Sequence, residues 1–140
     1  QAREEYDFCL LDAPAGLGEG FLLATAAADR CVVVTTSDAS SLRDAQHTVM
    51  ELNRFPTGRL HLTVNRVRKK MLRSMHATID DAIDRAGLPL IGVIPEDDAL
   101  PLSLNKGVPL LLNSSQGAAA AYRNIAKRLQ GQKVPLMRIR

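Results

Sequence analysis

The chain has 140 residues, 46% of them hydrophobic and 24% charged, a balance that excludes a disordered or collagen-like polypeptide. No apolar run approaches the roughly 18 residues of a membrane span, and Cys9 and Cys31 form neither a C-x-x-C nor any other thiolate zinc pattern. The 18 Lys and Arg against 15 Asp and Glu give a net charge of +3, but residues 99–140 hold no Asp or Glu and seven Lys or Arg, an asymmetry that suits either an anionic partner or a solvated helix face with a basic tail.

In chain order, Tyr6 to Leu11 is a short apolar run ending at Asp12 and reads as a strand. Glu19 to Ala28, rich in Ala and Leu, reads as a helix, and the β-branched run Cys31 to Val34, continuing into Thr35-Thr36, as a second strand. Ser41-x-x-Asp44 has the form of a capping box and predicts a helix to about Phe55, stopped by Pro56-Thr57-Gly58. Leu60 to Val67 and Leu90 to Ile94 are further apolar runs, the latter ending at Pro95. Between them, Thr78-x-x-Asp81 predicts a helix that ends at Gly87. A short turn of helix precedes a last helix, from Ser114-Ser115 to Gly131, whose residues Ala121, Tyr122, Ile125, Ala126 and Leu129 share a face. Residues 132–140 read as a tail.

Continuous apolar runs alternating with helices predict an α/β fold in three layers, a mainly parallel sheet flanked by helices. Such sheets bind ligands at the carboxyl ends of their strands, which directs attention to four loops: Asp12 to Gly18, Thr35 to Ser41, Asn65 to Arg68 and Pro95 to Asp98. Asp12-Ala13-Pro14-Ala15-Gly16 could place a carboxylate near Mg²⁺, directly or through water, and a backbone N–H near a phosphate; a turn-forming Asp is the plain alternative. Gly16-x-Gly18-x-Gly20 lacks the spacing of a dinucleotide fingerprint. Asn65 offers an amide donor and acceptor that could meet the edge of a purine, or simply end a strand. Arg66, Arg68, Lys69, Lys70 and Arg73 follow as a basic cluster, and Glu96, Asp97 and Asp98 can cap the next helix. His47, His61 and His76 are scattered without a metal-binding spacing. Gln1 in place of Met raises the expectation of a processed or partial chain.

Taken together, these segments resemble the C-terminal part of the MinD/ParA family of deviant Walker A P-loop ATPases, its Min-system branch above all. The resemblance rests on Tyr6-Asp7-Phe8 running into D-A-P-A-G at 12–16, A-A-A-D-R at 26–30, V-V-V-T-T at 32–36, S-S-L-R-D-A at 40–45, V-N-R-V-R at 64–68, G-V-I-P-E-D at 92–97 and A-Y-R-N-I-A-K-R-L at 121–129. It implies that residues 1–131 form the C-terminal portion of a P-loop NTPase-like domain, lacking the N-terminal P-loop strand and helix. Asp12 then matches the catalytic Walker B and switch II position that supports Mg²⁺, and Pro14, Ala15 and Gly16 match switch II. Asn65 and Arg66 match the adenine side, and Pro95, Glu96 and Asp97 the loop closing over the base. Ser40, Ser41, Arg43 and Asp44 match the partner-docking region.

The resemblance further implies an intact parent that binds and hydrolyses Mg-ATP, forms an ATP-dependent homodimer, meets Min-system partner proteins and places the cell-division site. Its expected location is cytoplasmic, with peripheral inner-membrane association in the intact parent and membrane contact only if a C-terminal helix follows Arg140. Two positions depart from the pattern: Ala13 replaces a hydroxyl residue and Gln46 an acid. No G-x-x-x-x-G-K-[ST] occurs, so this chain alone is expected to be inactive, with no tightly bound cofactor. A ParA-like or flagellum-placing ATPase, or a nucleotide-free docking module, are the alternatives; DNA is not the expected partner.

Overall fold

The structure, a computed structural model, describes residues 2–56, 58–68 and 87–136. Three parallel strands, β1 (Cys31–Thr35), β2 (Leu60–Val67) and β3 (Leu90–Pro95), lie side by side in that order. Around them run helices α1 (Ala2–Glu5), α2 (Glu19–Ala27), α3 (Ala39–Glu51), α4 (Ala99–Asn105), α5 (Leu110–Asn113) and α6 (Gly117–Leu129). The strands coincide with the β-branched and aliphatic runs, and a parallel β1–β2 pair needs a crossover, which α3 supplies.

The core has two main parts. Phe21 of α2, Val33 of β1, Ala45 of α3 and Leu60 and Leu62 of β2 form one, closed by Leu52 and Leu88. Ile94 of β3, Leu110 and the small residues Ala118, Ala119 and Ala121 of α6 form the other. Small residues let α6 lie close on the sheet, and Gly92 completes the fit: a Cβ there would overlap the Ile125 side chain. Ala126, expected on the apolar face of this helix, is exposed instead.

The β1–β2 register runs unbroken from Cys31↔Leu60 to Thr35↔Val64. The β2–β3 register shifts twice. It skips Ile91 between Leu62↔Leu90 and Thr63↔Gly92, and it skips Asn65 and Arg66 against a single residue of β3 between Val64↔Val93 and Val67↔Pro95. Both shifts matter below.

Several expectations are corrected. Tyr6 to Leu11 is not a strand: none of the described strands pairs with it, and a segment without a neighbour has no ladder to join. Its side chains stay exposed, Leu10 at 94%. The short helix α1 comes before it, with the Tyr6 N–H donating to the Ala2 carbonyl. On β1, Val33 and Thr35 are buried while Val32 and Val34 are exposed, so this strand is covered on one face only.

Helix α3 is capped by Asp38, not by Ser41: the Asp38 side chain accepts from the Ser41 N–H at 2.9 Å. A carboxylate at this position meets both the free N–H groups and the positive end of the helix dipole. The helix ends at Glu51, before Phe55, where the chain turns ahead of Pro56 and the Phe55 N–H bonds to Leu52 O. The tail is held at residues 134 and 135 by Arg128. The helix expected from Thr78, together with Lys69, Lys70 and Arg73, lies outside the described residues.

Candidate functional site

The carboxyl ends of β2 and β3 carry the densest polar structure. The second register shift leaves Asn65 and Arg66 as a bulge in β2. Arg66 takes a left-handed conformation, φ 56°, which costs a residue with a Cβ about 1–2 kcal/mol. The Asn65 Oδ1 accepts from the Arg66 N–H at 2.9 Å and so braces this turn. Beyond it, the Glu96 N–H donates to the Val67 carbonyl at 2.9 Å, joining the two strand-end loops.

Side chains repeat that junction. Arg68 Nε donates to Glu96 Oε2 at 2.6 Å and Arg68 Nη2 to Oε1 at 3.4 Å, while Arg66 Nη2 lies 3.7 Å from Oε1. The Arg68 guanidinium, and more weakly Arg66, hold the Glu96 carboxyl below its ordinary range; the same contact raises Arg68. All three groups are in water's reach, so the pairing positions the loop more than it stabilises the fold.

Asp97, one residue on, faces the other way. Its Oδ1 accepts from the Ala99 N–H at 3.0 Å and its Oδ2 from the Ala118 N–H at 3.0 Å. One carboxylate therefore caps α4 and α6 together, neither of which is capped by the side chain at its own N-cap position. Gly117, at φ 55°, makes room, since a Cβ there would run into Asp97 Oδ2.

At the end of β1, Thr36 Oγ1 donates to Asp38 Oδ2 at 2.5 Å and Ser41 Oγ to the same oxygen at 2.8 Å. These bonds, with the Ser41 N–H first, drive the Asp38 carboxyl far below its usual value. Of the four docking candidates, Ser41 is thus engaged in this cap, while Ser40, Arg43 and Asp44 are exposed on α3.

The Asp12 loop is separate. Asp12, Pro14, Ala15 and Gly16 are exposed, Asp12 ends no strand, and Gly16 has φ 89°. Pro14 packs on α2, where a Cβ at Gly20 would lie 2.6 Å from its Cγ. The structure therefore brings Asn65, Arg66, Pro95, Glu96 and Asp97 to one end of the sheet, and among the described residues no hydrogen bond or ion pair ties Asp12 to Gly16 to them.

Tested against Mg-ATP, the residues fit incompletely. Asn65 retains an amide NH₂ for a base, but its Oδ1, Glu96 and both Asp97 oxygens already accept protein hydrogen bonds. Among the described residues no three His, Cys, Asp or Glu group to hold a metal. The polar groups at the ends of β2 and β3 are thus largely engaged with the protein itself.

Sequence reasoning marked the Thr35 to Ser41 loop but not Asp38 as its cap, whose signal is the Thr36-Ser37-Asp38 run just before a helix. It also left Arg68 within a basic cluster; its pairing with Glu96 spans 28 residues and has no local signal.

A parallel sheet flanked by helices, with its polar loops at the strand carboxyl ends, defines an α/β domain of the doubly wound kind. No protein-family model matches the chain. The septum site-determining protein MinD of Synechocystis is 35% identical over 139 residues, 98% of this chain and 52% of that protein. Among solved structures, the MinC:MinD cell division protein complex of Aquifex aeolicus superposes with a TM-score of 0.87 at 31% identity, covering 98% of this chain and 58% of that one. MinD complexed with Mg-ADP from Pyrococcus horikoshii superposes with a TM-score of 0.76 at 26% identity, covering 91% of this chain and 52% of that one. The chain is MinD-like in sequence and fold, and it spans about half the length of the curated relatives it matches.

Proposed function

We propose that residues 1–131 are the C-terminal portion of the nucleotide-binding domain of a MinD-like ATPase that places the cell-division site. The similarity to MinD along 98% of the chain carries this reading. The intact parent binds and hydrolyses Mg-ATP and forms a homodimer in the cytoplasm, associating peripherally with the inner membrane. In it, Asn65 and Arg66, braced by Glu96, border the base, while Asp97 holds that border against α4 and α6. Asp12 and the switch loop Pro14-Ala15-Gly16 belong to the phosphate and Mg²⁺ side, completed by residues this chain does not contain. Min-system partners dock on Ser40, Arg43 and Asp44, the exposed residues at the start of α3, with Ser41 shaping the helix beneath them. The MinC:MinD complex of a structural relative supports such a partner.

The test is the size and activity of the native product. An antibody raised to this chain is expected to detect a protein of about twice its 15.2 kDa, and the protein it captures to hydrolyse ATP with Mg²⁺. A band at the mass of the chain itself would overturn the ATPase reading.

A further inference from the structure

Arg128 sits in the last turn of α6, half-buried, and its guanidinium meets backbone carbonyls of β3 and of the tail that follows the helix. Nη1 donates to Ile91 O at 2.6 Å, Nε to Val134 O at 2.9 Å and Nη2 to Pro135 O at 2.5 Å. Ile91 is the residue skipped at the first shift of the β2–β3 register. A bulge leaves a residue outside the regular ladder, and a guanidinium is suited to serve its carbonyl because its donors are fixed in a planar fork.

The chain reaches Arg128 from the far side by a defined turn. Gly131 has φ 81°, its N–H bonds to Arg128 O at 2.9 Å, and the Gln132 N–H bonds to Lys127 O at 3.0 Å. These are the paired bonds of a Schellman stop, which reverses the chain at a helix end. The reversal delivers Val134 and Pro135 to the side chain of the helix they have just left. Gly92 lies next to this contact: a Cβ there would overlap Ile125 and meet Arg128 Nη1 at an ordinary 3.8 Å.

We propose that Arg128 is a latch: it makes residues 131–136 a strap fixed against β3. Arg128 is then a positioning residue for the C-terminal segment, and its charge alone is not enough. A Lys carries the charge but cannot reach three carbonyls in one plane.

The test uses ¹⁵N relaxation on the 140-residue chain, comparing wild type with Arg128→Lys and Arg128→Ala. In wild type, the amides of Gln132, Lys133, Val134 and Leu136 are expected to be as ordered as those of α6. In both variants they should fall to the values of a free terminus while Ala119 and Ile94 stay unchanged. A complementary measurement guards against variants that fail to fold: ending the chain at Gly131 removes two acceptors and leaves Arg128 in place. Hydrogen exchange at Arg128 Nε should then quicken about tenfold. A strap that is mobile in wild type, remains ordered in Arg128→Lys, or leaves Nε exchange unmoved when deleted would overturn the proposal.

Discussion

The carboxylate of Asp97 accepts the backbone N–H of Ala118 at 3.0 Å across 21 residues of chain, while its other oxygen accepts the N–H of Ala99. A residue on the edge of the candidate nucleotide side is therefore also the joint between that edge and two helices. Asp97→Ala uncaps both, and the expected loss is about 2–3 kcal/mol, read as a lower urea midpoint at unchanged slope. Gly117→Ala should be destabilising for a related reason, because its Cβ displaces the same oxygen. The two losses should be less than additive in the double variant, since the second change disturbs a contact already gone.

The fit of α6 on β3 predicts a packing cost at Gly92. Gly92→Ala forces a methyl into Ile125 and should cost about 1–3 kcal/mol. Shortening the obstructing side chain with Ile125→Val should recover part of that loss. Thermal melts of the single and double variants check both directions.

Thr63 lies in β2, 2% exposed, and its hydroxyl finds no partner among the described residues. An unpaired buried hydroxyl is a net cost, so Thr63→Val is expected to be neutral or to stabilise by up to about 1 kcal/mol. A fall in the melting temperature would show that the hydroxyl is satisfied in solution.

Glu96 and Asp38 both ionise more readily in the folded chain than in an unfolded one. A depressed carboxyl pKa contributes stability that is fully present above the unfolded value, near pH 4. That stability is lost as the pH falls through the folded value. Stability should therefore decline with acid below about pH 4, and Asp38→Asn should flatten the decline. Arg68→Gln should move the Glu96 titration, followed by its carboxyl ¹³C shift, upward toward the ordinary value, because Arg68 is the largest cause of the depression.

What was legible in the sequence follows the range of the forces involved. Cys31–Thr35, Leu60–Val67 and Leu90–Pro95 announced themselves as strands because β-branched and aliphatic runs suit a buried parallel sheet. Asn65, Arg66, Glu96 and Asp97 could be placed near one another because strand order puts strand ends at one pole. What each side chain does there was not legible. The bulge at Asn65–Arg66 depends on the register with β3, and the two caps of Asp97 depend on where α6 docks. The run from Tyr6 to Leu11 was read correctly as apolar, but pattern alone cannot supply the neighbour that makes an apolar run a strand.

The uncovered side of β1, with Val32 and Val34 exposed alongside Phe8, Leu10 and Leu11 of the preceding segment, governs how the chain behaves on its own. Exposed greasy surface of this kind recruits other copies, chaperones and hydrophobic dyes. Soluble yield should fall steeply with expression level, and polar replacements at Val34 and Leu10 should restore it while the interior built on Leu62 and Val64 stays as it is.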